Sequence, residues 1–184
     1  MLRAKNNSSK KNIFAIIGSA GDHSSNLRLA ELFARLAGDR FTVSLFNKLK
    51  ELPHFDTELT ISNTPAVILA FRESILAADA VLICTPEYVF SIPSGLKNAI
   101  EWCVSTTVFT GKPTALITAS ADGKKGHEEL QLIMRTIQAH VTDQTNLLIP
   151  GIKSRFDSSG NLTDQGIMEQ VGTLIKELEA LLNR

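Results

Sequence analysis

The sequence predicts an α/β fold: a five-stranded parallel sheet with helices on both faces, forming a three-layer sandwich. Two observations carry this prediction. Short, continuous apolar runs recur along the chain, and a helical period of apolar residues fills each interval between them. Continuous rather than alternating runs belong to strands buried on both faces, as in a parallel sheet between helix layers. Strict alternation of strand and helix gives right-handed crossovers and a doubly wound sheet, whose ligands bind in the loops after the carboxyl ends of the strands. The 184 residues, 43% of them hydrophobic, suit one domain with a substantial core.

Met1–Asn12 is polar and basic and has too little apolar area to offset the entropy of ordering, so it is expected to be a disordered tail, with residues 13–184 as the single domain. The strand runs are Ile13–Ile17, Thr42–Phe46, Ala80–Cys84 and Thr114–Thr118, with Asn146–Ile149 as a weaker fifth. Leu29, Leu32, Phe33 and Leu36 share one helical face after the first run. Val67, Phe71, Ile75 and Ala78 share the next, opened by Thr64-Pro65 as cap and first-turn proline. Leu96, Ala99, Ile100 and Cys103 mark a third helix, and Leu130, Ile133, Met134, Ile137 and Val141 a fourth. Ile167, Val171, Leu174, Ile175, Leu178 and Leu182 mark a fifth.

Charge and cysteine usage exclude several function classes. Nineteen Lys and Arg balance nineteen Asp and Glu. Four of the cations, Arg3, Lys5, Lys10 and Lys11, lie in the acid-free first twelve residues, which leaves fifteen cations against nineteen acids in the remainder. That mildly acidic globule lacks the cationic surface that nucleic-acid binding requires. Nor is it a strongly acidic electron carrier. Cys84 and Cys103 are too few for a disulfide framework and show no CxxC spacing, which suits a reducing compartment and a cytoplasmic location. The apolar stretch Ile13–Ile17 is shorter than the roughly 7–15 residues of a secretory h-region. Arg72, Glu73 and Asp79 interrupt Pro65–Cys84, well short of the roughly 20 apolar residues of a membrane span. A soluble protein is expected. His23, His54, His127 and His140 lack metal-ligand spacing, so no metal is expected.

The chain between the first strand and the first helix reads Gly18-Ser19-Ala20-Gly21-Asp22-His23-Ser24-Ser25-Asn26. Glycines that turn backbone N–H groups inward, hydroxyl donors and a helix N-terminus make up a phosphate cradle. The same residues also describe an ordinary polar turn ending in a serine cap. The loop is not GxGxxG, not a Walker loop and not the GxSxG of a hydrolase elbow.

The third strand runs into Pro86-Glu87-Tyr88-Val89-Phe90-Ser91-Ile92-Pro93, followed by Leu96-Lys97-Asn98-Ala99-Ile100-Glu101-Trp102. This run resembles the Pro-Glu-Tyr, Ser-Ile-Pro and Leu-Lys-Asn-Ala-Ile-acid-Trp signature of the flavodoxin-like NAD(P)H-dependent FMN reductases, a family that also holds quinone, azo-dye and chromate reductases. Gly18-Ser19, Ser24 and Asn26 match that family's Gly-Ser-x-Arg-x-x-Ser-x-Asn phosphate loop in spacing. Ser120-Ala121-Asp122-Gly123-Lys124-Lys125-Gly126 is similar to its glycine-containing loop after strand four.

The resemblance implies a flavodoxin-like sandwich, an FMN cofactor and NADH or NADPH as co-substrate. The implied reaction passes hydride through the flavin to a quinone, flavin, azo compound or similar small-molecule acceptor. It places the FMN phosphate on Ser19, Ser24, Ser25 and Asn26. It places the polar edge of the ring against Pro86, Glu87, Tyr88 and Val89, with Ser120 and Gly123 on a third side. Because the flavin performs the transfer, no catalytic side chain is implied. Relatives pair, which implies a homodimer or homotetramer with Trp102 available for contact. Leu52-Pro53-His54-Phe55-Asp56 resembles a family loop that reaches the pocket from the side, and reads equally as plain connection.

The departures from the pattern bear on cofactor affinity. Gly21 stands where the family has arginine, which removes a charge-assisted contact of about 1.5–3 kcal/mol, equivalent to roughly tenfold to hundredfold in FMN affinity. Val89 and Phe90 stand where it has asparagine and glycine. Two alternatives therefore stay open: a flavodoxin-type carrier of single electrons, and an FMN-poor sensor or interaction module. His127, beside the third loop, reads as a ring contact or as a capping or solvated side chain. Cys84 and Cys103 read as buried small hydrophobes, Lys97 as a surface charge and Asn98 as a partner for loop backbone.

Overall fold

The computed structural model describes residues 10–19, 21 and 23–184. The chain forms β1 (Lys11–Ile17), α1 (Ser25–Ala37), β2 (Phe41–Phe46), α2 (Ala66–Ala77), β3 (Ala80–Thr85), α3 (Ser94–Glu101), β4 (Thr114–Ser120), α4 (Lys124–Thr136), β5 (Asn146–Pro150) and α5 (Gln165–Leu182). All strand pairings are parallel, in the order β2-β1-β3-β4-β5. From β1 the chain steps outward to β2, then returns to place β3 on the other side. The loops leaving β1 and β3 therefore diverge, and a crevice opens between them at the carboxyl edge of the sheet.

Side chains of a strand alternate between its faces, so each central strand contributes to two cores. Ile13, Ala15, Ile17, Leu82 and Cys84 face Leu29 and Phe33 of α1 and Val171, Leu174 and Leu178 of α5. Phe14, Ile16, Val81 and Ile83 face Ile68, Phe71 and Ile75 of α2, Leu96 and Ala99 of α3, and Leu130 and Met134 of α4. Each such fully buried side chain contributes about 1.5–3 kcal/mol. This double coverage is why the middles of β1, β3 and β4 read as continuous apolar runs.

Four sequence expectations change. Phe41–Phe46 is not buried on both faces: Thr42, Leu45 and Ser44 are exposed because β2 is an edge strand with a single neighbour. Lys11 and Asn12, assigned to the tail, begin β1. Lys11 pairs with Asp79 at 3.1 Å, and the Asn12 N–H donates to the same carboxylate at 2.8 Å. Residues 1–9 of that tail lie outside the described residues. Pro65 sits at the N-cap of α2 rather than in its first turn, and the Thr64 hydroxyl donates back to the Leu59 carbonyl at 2.7 Å instead of capping. α4 stops at Thr136 because Gln138 turns the backbone left-handed, at φ 63°; Ile137 and Val141 reach the core from the segment that follows. Among the described residues, no helix is long and apolar enough to cross a membrane.

Candidate functional site

The site grows out of the ends of β1, β3, β4 and β5. Gly18 follows β1 and donates its N–H to the Cys84 carbonyl at 2.8 Å. A Cβ at this position would lie 2.2 Å from Thr85 Oγ1, so only glycine allows the two strand exits to meet. Ser24 then caps α1, its Oγ accepting the Leu27 N–H at 3.1 Å. Ser19, buried, accepts the Gly21 N–H at 3.4 Å. Both hydroxyls act as acceptors within the loop, which leaves their O–H groups to donate into the crevice. The first turn of α1 carries no acid, and its leading N–H groups have no helical acceptors.

Asn26 has a different part from the one its motif position implies. Its side chain is 3% exposed; Nδ2 donates to the Ala119 carbonyl at 3.0 Å, and Oδ1 accepts from Cys84 Sγ at 3.5 Å. Asn26 thus ties the start of α1 to the ends of β4 and β3. Complete burial pushes the Cys84 thiol well above its usual pKa. Burial likewise pushes Cys103 up to about 12, against the lowering influence of the Arg72 charge, so neither is a thiolate nucleophile.

The second loop is a tight turn held from one side. Tyr88 and Ser91 exchange both backbone hydrogen bonds, at 2.9 and 3.0 Å, with Val89 and Phe90 between them at φ 52° and 59°. Two consecutive positive φ values define the type I′ turn, which favours Asn-Gly. Glu87 Oε2 accepts the Gly126 N–H at 2.8 Å, and the Ser120 hydroxyl donates to the Glu87 carbonyl at 3.2 Å. Glu129 Oε2 accepts from Ser91 Oγ at 2.7 Å and from the Ile92 N–H at 2.9 Å. The first turns of α4 therefore brace the second loop, and Glu129 is a positioning residue that the motifs did not reveal.

These loops enclose a cleft of about 970 Å³. Ser19, Ser24, Ser25 and Asn26 line it from the first loop; Pro86, Glu87 and Tyr88 from the second; and Ser120 from the third. Two residues of the expected set are elsewhere. Val89, 94% exposed, stands at the turn tip outside the cleft, because the left-handed turn projects it into solvent. Gly123 is the N-cap of α4 at φ 87°, where a Cβ would come within 3.0 Å of Leu148; its glycine serves the turn into the helix. A fourth wall, Gly151–Ser154 after β5, was missed; its only sequence signal is a glycine-led polar stretch after the weakest strand run.

The flanking segments fall away from the cleft. Phe55 N–H donates to Asn98 Oδ1 at 2.7 Å, and the Pro53 carbonyl accepts from Asn98 Nδ2 at 2.9 Å and Trp102 Nε1 at 2.8 Å. Phe55 meets Trp102 edge-on at 5.4 Å. The Leu52–Asp56 segment is thus fastened onto α3 as connection, and Trp102, fully buried beneath it, is not available for contact with another chain. Lys97 pairs with Glu101 at 2.6 Å. His127 is buried under the third loop, with Nδ1 2.8 Å from Thr118 Oγ1, and does not line the cleft. Burial lowers its pKa, opposed by the Glu128 carboxylate. Among the described residues, no group of three or more His, Cys, Asp or Glu is placed to hold a metal ion.

The profile of the NADPH-dependent FMN reductases matches residues 12–153. The chain belongs to that family. It is similar to the NAD(P)H-dependent FMN reductase of Pseudomonas aeruginosa, 32% identical over 139 residues covering 72% of this chain and 75% of the relative. It is also similar to the 2-hydroxy-1,4-benzoquinone reductase of a Burkholderia species, 32% identical over 175 residues covering 91% and 94%. Among solved structures, the flavoenzyme NAD(P)H:(acceptor) oxidoreductase of Paracoccus denitrificans shares the fold with a TM-score of 0.83 at 24% identity, covering 94% of this chain and 97% of that one. Membership in the FMN reductase family makes the protein a flavodoxin-like NAD(P)H-dependent oxidoreductase.

The donor set of this FMN reductase cleft fits the cofactor. Hydroxyl donors and the N-terminus of α1 gather at one end, suited to a phosphate. The opposite wall, Pro86 to Tyr88 with Ser120, offers an apolar edge and backbone polar groups, suited to a flat ring with one polar rim.

Proposed function

We propose that the protein reduces a quinone, flavin, azo compound or similar two-electron acceptor at the expense of NADH or NADPH, with FMN held in this cleft. The observation that carries the reading is the convergence of the Ser19–Asn26 loop and the Pro86–Tyr88 loop on opposite walls of one cleft at the sheet's switch point. Ser19, Ser24 and Ser25 would donate to the phosphate together with the N–H groups of α1. Pro86, Glu87, Tyr88 and Ser120 would frame the ring, while Asn26 and Gly123 shape the loops around it. The chemistry that bound FMN supplies is acceptance of hydride from reduced nicotinamide and its delivery to a second substrate.

The protein's own part is positional. Glu87, Ser120 and Glu129 hold the second loop at a set distance from α4, so the slot keeps its width without a ligand inside it. Preorganisation of this kind lowers the cost of binding. No side chain has to exchange a proton for hydride transfer to proceed.

The test is spectroscopic. The purified protein, loaded with FMN where needed, should show visible flavin absorbance that bleaches anaerobically with NADH or NADPH and returns on adding a quinone. A colourless protein that ignores added FMN would overturn the proposal. Nicotinamide oxidation against a panel of quinones, azo dyes and free flavins then ranks the acceptors.

Two finer statements accompany it. The exposed apolar turn tip of Val89 and Phe90, 94% and 74% accessible, favours coverage by a second copy of the chain, as a homodimer or homotetramer. Light scattering at micromolar concentration should return a multiple of the 20.1 kDa chain mass. Both cysteines are free and buried, which supports residence in a reducing compartment such as the cytoplasm.

A further inference from the structure

A dianionic phosphate is held more tightly when a cation joins the neutral donors. The first loop carries glycine at position 21, and neither Ser19 nor the serines of α1 bring a charge. Among the described residues lining the cleft, Lys153 is the one permanently cationic side chain. It is exposed and, among the described residues, makes no hydrogen bond or ion pair. Nearby cations are committed elsewhere. Arg155 pairs with Asp164 at 2.6 Å, and the Arg28 guanidinium lies 5.5 Å over the Phe156 ring.

The segment that carries Lys153 is anchored against the phosphate end of the cleft. Gly151, left-handed at φ 66°, donates its N–H to the Ala121 carbonyl at 3.0 Å and turns the chain back over the third loop. A 3₁₀ turn, Ile152–Arg155, follows, and buried Ile152 packs in the same core as α1. Beyond it, Phe156 meets Arg28, in the first turns of α1, and Gly160 leaves room for the same guanidinium: a Cβ there would lie 2.7 Å from Arg28 Cζ. The start of α1 and the loop after β5 are thus locked together as two walls of one end of the cleft.

From this geometry we infer that Lys153, on the loop after β5, supplies the cationic contact to the phosphomonoester of FMN that the first loop lacks. The inference rests on the proposed FMN site and adds a residue from a fourth loop to it. A lysine is a mobile point charge on a flexible stem, so it can reach the phosphate without the rigid geometry of an arginine fork.

Binding measurements on the apoprotein with two flavins that differ only in the phosphate test this. Flavin fluorescence quenching should show Lys153→Gln binding FMN about tenfold more weakly than the parent chain, the lower end expected for a charge-assisted contact at an exposed site. Riboflavin affinity and the urea midpoint should stay unchanged. Lys153→Arg should keep FMN affinity near the parent value. The FMN affinity of the parent should also fall more steeply with added salt than that of Lys153→Gln. Unchanged FMN affinity in Lys153→Gln, or equal weakening of FMN and riboflavin, overturns the inference while leaving the FMN site in place. A parent chain that binds neither flavin overturns the FMN site itself, and the inference with it.

Discussion

Glu87 and Gly126 meet across the cleft wall: the carboxylate accepts the glycine N–H at 2.8 Å, and a Cβ on Gly126 would press within 3.1 Å of Glu87 Cγ. The contact joins the loop after β3 to the first turn of α4, where an anion is favoured by the exposed helix N–H groups. Glu87→Ala should cost about 1–2 kcal/mol in urea unfolding, the worth of a charge-assisted bond at a half-exposed site. It should also weaken FMN binding by loosening the loop. An unchanged midpoint and unchanged FMN affinity would show the contact to be incidental.

Val89 and Phe90 occupy a turn whose backbone suits Asn-Gly. Left-handed backbone at non-glycine residues costs about 1–2 kcal/mol each, more for a β-branched side chain. The double change Val89→Asn with Phe90→Gly should therefore raise the stability of the chain by about 1–2 kcal/mol, since both side chains are exposed and little packing is lost. Thermal unfolding reads the result; a lower midpoint would mean that contacts of these side chains outweigh the backbone strain.

His127 makes stability depend on acidity. Burial holds its folded pKa below that of the unfolded chain, so the unfolded state takes up the proton first as pH falls. The resulting stability is present above about pH 6.5, the unperturbed value, and is lost as pH falls through the folded pKa. His127→Gln should flatten this part of the profile, as measured by denaturant midpoints from pH 7.5 down to about 5. An identical slope in the variant would move the cause to another group.

Arg72 is buried and, among the described residues, has no carboxylate partner; its guanidinium instead serves carbonyl and hydroxyl oxygens. Nε donates to Trp102 O at 2.8 Å, Nη1 to Thr60 O at 3.2 Å, and Nη2 to Thr60 Oγ1 at 2.9 Å and also to Trp102 O. It closes the end of α3 and holds the segment before α2. Arg72→Leu should cost about 2–4 kcal/mol by leaving these oxygens unsatisfied. Arg72→Lys should recover only part of it, because an ammonium cannot span the fork. Calorimetry on both variants decides this.

Much of the fold was legible because it is written in local periods. Ile13–Ile17 and Ala80–Cys84 are apolar at every position, and Thr114–Thr118 is apolar between its two buried threonines, since each strand feeds two cores, and the structure finds them as the central strands. The boundaries that moved lie where a local pattern met a nonlocal partner. Asp79 draws Lys11 and Asn12 into β1, and Leu59 takes the Thr64 hydroxyl away from α2. Phe41–Phe46 carries a strand's pattern, but nothing local tells an edge strand from a buried one.

The sequence by itself determined the order of elements, the parallel sheet and the loops that would gather at its carboxyl edge, because periodicity and turn residues act over a few positions. Tertiary structure alone decided what each loop residue does there. Asn26 turns inward to Ala119 and Cys84, Trp102 disappears beneath Pro53, Val89 is thrown outward by a left-handed turn, and Lys153 arrives at the cleft from beyond β5. Apart from the local turn at Val89, each of those outcomes depends on a hydrogen bond or packing contact between residues far apart in the chain, and such contacts exist only once the sheet has brought its strand ends side by side.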